Sequence, residues 1–160
     1  MAWILMQLTK ANLKDIPQML TLVAEEVKSG VILDRSADEI ATNIRSYVLA
    51  KEGEKIVGYT ALHIHSSTLA EVRSLIVDES ARGKSVGKKM VRYALEEAEA
   101  LGLNEVLVLT YLPQFFLKLG FEEIAKESIP EQKIWADCIK CIHFPVCNEV
   151  SLMYMIGNKE

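Results

Sequence analysis

The spacing of apolar residues along the chain predicts three amphipathic helices. Over residues 12–29, 37–46 and 84–101, apolar positions recur every three or four residues, which places them on one face of a helix. Asn12 is suited to cap the first helix, and Gly102 is suited to end the third. The expected buried stripe of the third helix consists of Val86, Met90, Val91, Ala94, Leu95, Ala98 and Leu101.

Segments typical of strands lie between these helices. The predicted strands cover residues 2–8, 48–50, 56–62, 70–77, 106–109 and 150–156, and a short helix is predicted over 113–119. A turn at residues 52–54 makes the second and third strands a hairpin. The strand at 106–109 is apolar throughout, which favours parallel pairing with its predecessor. This alternation predicts an α/β fold.

Composition and charge narrow the class of protein. The chain has 160 residues, half of them hydrophobic and a quarter charged, which predicts one globular domain over residues 1–160. A net charge of −4 argues against broad nucleic-acid binding, and no stretch approaches the roughly 20 apolar residues of a membrane span. The first residues lack the features of a signal peptide, and three cysteines, an odd number, favour a reducing compartment. We therefore expect a cytoplasmic protein with no nucleic-acid or membrane partner.

One loop has the pattern of an anion site. It follows an apolar run, Leu75-Ile76-Val77, and leads into the helix expected to start near Lys84. The free N–H groups and the dipole of a helix N-terminus favour an anion there. The segment, named here the anion loop, consists of Arg82, Gly83, Lys84, Ser85, Val86, Gly87 and Lys88.

The charges of the following helix support this interpretation. Basic residues gather at its start and acidic residues at its end, the reverse of what the helix dipole prefers, and a bound anion would offset that cost. The alternative is a solvated face with a chance distribution of charge. A Walker loop does not fit, because only three residues separate Gly83 from Gly87 and Lys89 stands where the hydroxyl belongs. The dinucleotide Gly-x-Gly-x-x-Gly pattern is also missing from the sequence.

With these motifs the chain resembles the GNAT superfamily of acetyl-CoA-dependent N-acetyltransferases. The resemblance is carried by the order of elements, by the anion loop and by residues 115–121, which end in Gly120-Phe121. The family's loop is usually Gln/Arg-x-x-Gly-x-Gly/Ala, so Arg82 and Gly87 match and Ser85 departs. Serine can still offer its N–H there if its φ is negative.

The resemblance implies the fold and the co-substrate. It implies a GNAT fold, a mixed central sheet of six to seven strands flanked by helices on both faces. It also implies acetyl-CoA as co-substrate, held by Leu75, Ile76 and Val77 together with the anion loop.

Shorter runs resemble one branch of the family, the short, free-standing N-acetylglutamate synthases. These runs are residues 70–77, residues 108–110 followed by the Phe115-Phe116 pair, and residues 133–138, while residues 30–36 are similar to the segment with which that branch holds its amino acid. The resemblance implies direct acetyl transfer, in a ternary complex, to the α-amino group of a small amino acid. L-glutamate is the first candidate, which would make the reaction the first step of arginine biosynthesis.

The chemistry of such a transfer can be matched to residues. Some relatives, histone acetyltransferases among them, keep a catalytic glutamate on the strand before the loop, so the resemblance implies that Glu71 is the base for the ammonium proton. Arg35 and Arg73 are the expected carboxylate clamps, since a guanidinium pairs with a carboxylate through two hydrogen bonds, and Thr110 is expected on the substrate side. Glu71 and Arg73 are two residues apart and so share one face of a strand. The alternative for Glu71 is an ordinary surface position on the strand, and the alternative for each arginine is a surface position paired with a Glu or Asp.

The acid for the leaving thiolate is less well defined. Many relatives place a tyrosine four residues before the Gly-Phe pair, but this position is Phe116 here, which has no proton to donate. Tyr111 is the nearest replacement, with packing as its alternative role, and a water molecule or no acid at all would also serve.

A cysteine-rich segment has two interpretations. Cys138, Cys141, His143 and Cys147 have the spacing of a zinc knuckle, yet apolar residues alternate with them as in a packed core. No metal is included among the expected site groups.

Two other functions stay open at this stage. A non-catalytic acetyl-CoA sensor is compatible with Ser85 and Phe116, and a protein N-acetyltransferase would share the same fold. Because relatives often dimerise through late strands, a homodimer is a further expectation.

Overall fold

The described residues of the computed structural model, 6–129 and 149–157, form a seven-stranded sheet with helices on both faces. The strands are β1 (Met6–Lys10), β2 (Tyr47–Glu52), β3 (Lys55–Ile64), β4 (Leu69–Val77), β5 (Glu105–Thr110), β6 (Glu122–Glu123) and β7 (Val150–Met155). The helices are α1 (Ile16–Lys28), α2 (Ala37–Thr42), α3 (Val86–Leu101) and α4 (Pro113–Leu117).

The sheet is mixed, as predicted. Its strand order is β1-β2-β3-β4-β5-β7-β6. β4 and β5 are parallel, while the other neighbouring pairs are antiparallel. The crossover between the two parallel strands is α3, so the predicted parallel pairing and the α/β class are confirmed.

Alternating side chains of the sheet divide the core between its two faces. On β2, Leu49 packs with α1 and α2, whereas its neighbours Val48 and Ala50 pack against α3. Met19 of α1 and Met90 of α3 are fully buried in these two layers. The predicted helices on both faces are therefore confirmed.

An irregularity in β4 changes which residues face α1. Tyr59 pairs with Ile76, but Ala61 pairs with Arg73, so β4 has one extra residue at this point. Ser74 lies within the extra stretch and has a φ of 59°, in the left-handed region that side chains rarely adopt. Because of this bulge, Arg73 and Ile76 each pair with a β3 residue that packs on the α1 side.

Several boundaries differ from the sequence prediction. The second helix ends at Thr42, and a 3₁₀ turn over Ile44–Ser46 leads into β2. The third helix begins at Val86, two residues later than predicted. Leu101 was expected in its buried stripe and is 57% exposed, because the helix ends there beside Gly102.

Some predictions fall partly or wholly outside the described residues. These are residues 2–5 of the first predicted strand, the run at 133–138, and Cys138, Cys141, His143 and Cys147. Within the described ranges, no helix combines the length and the apolar character needed to cross a membrane.

Candidate functional site

A cleft of about 800 Å³ opens where β4 and β5 separate. In the described part of the chain, β4 pairs with β5 only from Leu69 to Glu71, against Glu105 to Leu107. Beyond that point the two strands diverge, and the C-terminal half of β4 lines the gap with Leu75, Ile76 and Val77. The cleft therefore has strand backbone along one wall without a β5 partner beside it.

The anion loop closes one end of this cleft. All of its residues except Lys84 line the cleft, and the Lys84 Nζ atom lies 3.8 Å from the Glu52 carboxylate. The cleft also contains the start of α3, whose first-turn N–H groups have no partner within the helix. The expected co-substrate residues are thus brought together, with Lys84 as the exception.

Ser85 does not have the backbone conformation expected from the sequence. Its φ is +62°, not negative, and it is the residue that immediately precedes α3. Gly83, two residues earlier, also has a left-handed φ of +83°. Serine therefore occupies a conformation that glycine adopts without strain, and the loop geometry of a glycine is retained at the cost of about 1 kcal/mol.

Contacts at its base hold the anion loop against the sheet. Arg82 donates from Nε to the carbonyl oxygen of Val77, at 3.2 Å. Gly87 faces Phe115 so closely that a Cβ there would lie 3.4 Å from the ring. A short turn after β4 also carries Asp78, whose pKa is lowered by hydrogen bonds from the side chain and backbone of Ser80.

The opposite end of the cleft is named here the charged end and is defined by Glu71, Arg73 and Arg35. All three line the cleft and are buried, with exposures of 2%, 8% and 7%. The surface position in each alternative is therefore excluded, but Arg35 does pair with a carboxylate, that of Glu39. An ionised group that is shielded from water needs a charged or hydrogen-bonding partner. These three side chains are therefore held by neighbouring protein groups rather than by water.

Glu71 and Arg73 reach the charged end from the same strand. Glu71 pairs in register with His63 and Arg73 with Ala61, so the two side chains share one face of β4, as predicted. The Glu71 carboxylate lies 2.8 Å from the Nε2 atom of His65, just beyond the end of β3. The base candidate is therefore in contact with a histidine that the sequence analysis did not select.

Arg35 arrives from the segment between α1 and α2. Its Nη1 atom donates to the Glu39 carboxylate at 2.7 Å, one helical turn away. Ser36 caps α2, accepting a hydrogen bond from the Glu39 backbone N–H at 3.1 Å. The helix start thus holds both partners of the ion pair beside the cleft.

A second cavity of about 280 Å³ adjoins the charged end. It shares Ile32, Leu33, Arg35 and Ser74 with the cleft, and aliphatic side chains of α1 form much of its wall. The hydroxyl-bearing rings of Tyr47 and Tyr59 also line it. Burial, more than the nearby charges, raises the pKa of Tyr59 well above its usual value.

The end of β5 and the residues that follow it line the cleft at a place named here the cleft mouth. Thr110 lines it, and its hydroxyl oxygen accepts a hydrogen bond from the backbone N–H of Leu112 at 2.8 Å. Tyr111 lines it too and is 37% exposed. Phe116 is buried, stacks edge-on with Phe115 and Phe121, and lines the cleft without a proton to donate.

Sequence reasoning did not select several polar residues in or near the cleft. His65 approaches Glu71 across a turn, which no motif indicates. Glu149 lines the cleft, and Ser151 is buried on β7 in register with Leu109. No sequence pattern selects Ser151, because only the pairing of β5 with β7 brings it to this side of the sheet.

Comparison with known proteins agrees with this geometry. The model of the acetyltransferase (GNAT) family matches residues 16–121. An uncharacterized N-acetyltransferase of Chlorobaculum tepidum is 35% identical over 143 residues, which are 89% of this chain and 92% of that protein. The amino-acid acetyltransferase of Mycobacterium tuberculosis is 30% identical over 152 residues, 93% of this chain and 86% of the relative.

A solved structure has the same fold. The N-acetylglutamate synthase of Neisseria gonorrhoeae, complexed with coenzyme A and N-acetyl-glutamate, superimposes with a TM-score of 0.83 at 18% identity. The match covers 98% of this chain but 36% of that longer protein. A co-substrate of the acetyl-CoA type, expected from the sequence, is consistent with the family and with this neighbour. On the extent of the family match and on these relatives, the chain belongs to the acetyltransferase (GNAT) family.

Proposed function

We propose that this protein transfers the acetyl group of acetyl-CoA to the α-amino group of a small amino acid, with L-glutamate as the first candidate. The observation that carries the proposal is the charged end of the cleft, where a buried carboxylate lies on the same strand face as a buried arginine. The printed names of the relatives, amino-acid acetyltransferase and N-acetylglutamate synthase, support the same substrate class.

The anion loop and the open edge of β4 hold the co-substrate in this proposal. The first-turn N–H groups of α3 bind the pyrophosphate, since a helix N-terminus favours an anion. A cleft of about 800 Å³ lies within the size range of cofactor sites. A backbone N–H of the Leu75–Val77 stretch holds the thioester oxygen, where negative charge develops during acetyl transfer.

The charged end holds and activates the amino acid. Arg73 and Arg35 pair with carboxylate groups, and two such groups on glutamate match two arginines. Glu71 accepts the proton of the ammonium group, which leaves a neutral amine to attack the thioester carbonyl. A protein-modifying enzyme has less use for arginines at this place, because a peptide N-terminus brings no α-carboxylate.

Tyr111 is the proposed proton donor to the departing thiolate. It has a phenolic hydroxyl at the cleft mouth, whereas Phe116 has no proton to donate. Because a coenzyme A thiolate leaves tolerably without an acid, its contribution is smaller than that of Glu71. Thr110 keeps a hydroxyl proton to donate to the substrate while its oxygen accepts from Leu112.

Thiol release from acetyl-CoA, measured with a panel of free amino acids and short peptides at millimolar concentration, tests the proposal. We expect turnover with L-glutamate or a close relative such as L-glutamine or L-aspartate, and none with peptides. Binding of acetyl-CoA without turnover of any acceptor would contradict the proposal in favour of a sensor. Turnover confined to peptides would contradict it in favour of a protein N-acetyltransferase.

A further inference from the structure

Glu71 has a buried partner to which the reaction above assigns no role. The Nε2 atom of His65 lies 2.8 Å from Glu71 Oε1, and the two side chains are only 2% and 3% exposed. At this distance the contact is a hydrogen bond, and both partners are shielded from water that would compete for it. The arrangement therefore fixes one group relative to the other.

The turn between β3 and β4 holds His65 in place. The backbone N–H groups of His65 and Ser66 both donate to the carbonyl oxygen of Leu69, at 2.9 and 3.1 Å. The Ser66 hydroxyl accepts from the N–H groups of Thr68 and Leu69, at 3.2 and 3.1 Å. The ring of His63 packs edge-on against the His65 ring, with centroids 4.8 Å apart. The imidazole is thus oriented before any substrate binds.

The chemistry of the contact fixes the direction of the hydrogen bond. An ionised carboxylate can only accept, so a Glu71 that is ready to take a proton requires the hydrogen to be on His65 Nε2. A hydrogen bond from this N–H to a charged carboxylate is stronger than one between neutral groups and restricts the carboxylate orientation.

We propose that His65 is a positioning residue for Glu71, orienting its carboxylate toward the amino group of the acceptor. The inference rests on the proposed function, because it assigns the role of His65 through the base. In the step itself, one N–H bond of the acceptor ammonium breaks and one O–H bond forms on Glu71. His65 keeps its own proton throughout and touches no reacting atom.

Substitutions at His65 separate this role from simple packing. His65→Ala should lower kcat roughly 10- to 100-fold and leave KM for acetyl-CoA unchanged. Losses of this size follow removal of a residue that orients a metal ligand by a hydrogen bond. His65→Gln keeps an N–H donor at similar reach and should restore kcat to within about threefold of wild type. Ser67→Ala is the matched control, because this exposed serine lies in the same turn and the contacts described above around the imidazole do not involve it.

A double-mutant cycle shows whether His65 acts through Glu71. In a Glu71→Ala background, His65→Ala should change the residual kcat by less than about twofold, because the group it orients is gone. An equal loss in both backgrounds would overturn the proposal, and so would a His65→Gln variant no more active than His65→Ala. A loss of the same size in Ser67→Ala would also overturn it.

Nitrogen-15 NMR of the histidine rings gives a readout that needs no turnover. The chain has three histidines, so His65→Gln assigns the signal directly. We expect a protonated Nε2 whose shift changes in Glu71→Ala. If the wild-type protein shows the protonated Nε2 signal but transfers no acetyl group, the proposed function is contradicted, whereas the His65–Glu71 contact is not. If the wild-type protein transfers acetyl groups but lacks this Nε2 signal, the positioning role of His65 is overturned and the proposed function is not.

Discussion

The two ends of the cleft present different groups to a ligand. The anion loop presents backbone N–H groups at the start of α3, and the side chains of Arg82, Ser85 and Lys88 around them are exposed. The charged end presents buried ionisable side chains, and Glu71 is 2% exposed. A backbone site depends on φ and ψ values and tolerates changes of side chain, whereas a buried charged site depends on the identity of each residue. Substitutions at the two ends should therefore affect different kinetic constants.

The largest effect is expected at the base. Glu71→Gln keeps the size of the side chain and removes the group that accepts the proton, so kcat should fall about 10²- to 10⁴-fold at neutral pH. Steady-state kinetics with saturating amino acid and acetyl-CoA measure this loss. Glu122→Gln, an exposed glutamate on β6, is the control, and a Glu71→Gln enzyme with more than a tenth of wild-type kcat would contradict the role.

The arginine clamps should affect acceptor binding. Arg73→Lys and Arg35→Lys keep the charge and lose the two-pronged geometry, so KM for the amino acid should rise roughly 10- to 100-fold in each variant. KM for acetyl-CoA should stay unchanged, because these residues lie at the other end of the cleft. Arg45→Lys, an exposed arginine before β2, is the control. A rise in KM for acetyl-CoA instead of the amino acid would show that the ends are misassigned.

A smaller effect is expected at the cleft mouth. Tyr111→Phe removes the proposed acid, and kcat should fall less than about tenfold, because the thiolate is a tolerable leaving group without protonation. The measurement is kcat with acetyl-CoA at saturation. A loss as large as that of Glu71→Gln would mean that protonation of the thiolate, not activation of the amine, limits the reaction.

Substitution of Ser85 by glycine should stabilise the protein and strengthen acetyl-CoA binding by the anion loop. Ser85→Gly removes the strain of a left-handed serine and should raise stability by about 1 kcal/mol or less, since glycine is also more flexible when unfolded. The same change should lower KM for acetyl-CoA about two- to fivefold, and leave KM for the amino acid unchanged. Thermal unfolding and steady-state kinetics check both effects. Weaker acetyl-CoA binding would show that the serine side chain itself contacts the ligand.

Alkaline pH should remove the stability that buried Tyr59 contributes beside the charged end. Burial raises the pKa of Tyr59, so above pH 10.0, its ordinary value, the unfolded tyrosine loses a proton that the folded one keeps. Stability from this group is complete below that pH and falls above it, by at most about 1.4 kcal/mol per pH unit. Denaturant unfolding at pH 9 to 11 should show a shallower loss for Tyr59→Phe than for wild type. Tyr93→Phe, on α3, is the control, and an unchanged slope in Tyr59→Phe would contradict the assignment.

The sequence predicted the anion loop better than the charged end, and the reason is physical. A strand, a glycine-bearing loop and an amphipathic helix are local patterns, so the order of residues 75–101 was enough to predict them. The helix start was wrong by two residues because Ser85 has a left-handed backbone, which its side chain does not signal. Lys84 was included from its place in the loop, but its pairing with Glu52 depends on the distant β2–β3 hairpin.

At the charged end, the individual residues were predicted and their surroundings were not. Glu71 was selected through the resemblance to relatives that keep a glutamate on this strand. That Glu71 and Arg73 share a face follows from strand alternation, which is a local property. The contact of His65 with Glu71 requires the turn at residues 65–68. Arg35 reaches the cleft only because α1 and α2 pack on the sheet. The bulge at Ser74 determines on which side of the sheet the β4 side chains after Arg73 lie. No glycine in the sequence indicates this bulge.

Calorimetric titration of coenzyme A into wild type and into the Glu71→Gln/Arg73→Lys double variant tests the separation of the two ends most directly. The double variant should bind coenzyme A with a Kd within about threefold of wild type, although its acetyl transfer is lost. A Kd weakened tenfold or more, in a variant with wild-type thermal stability, would contradict the assignment of the anion loop and the charged end to different ligands.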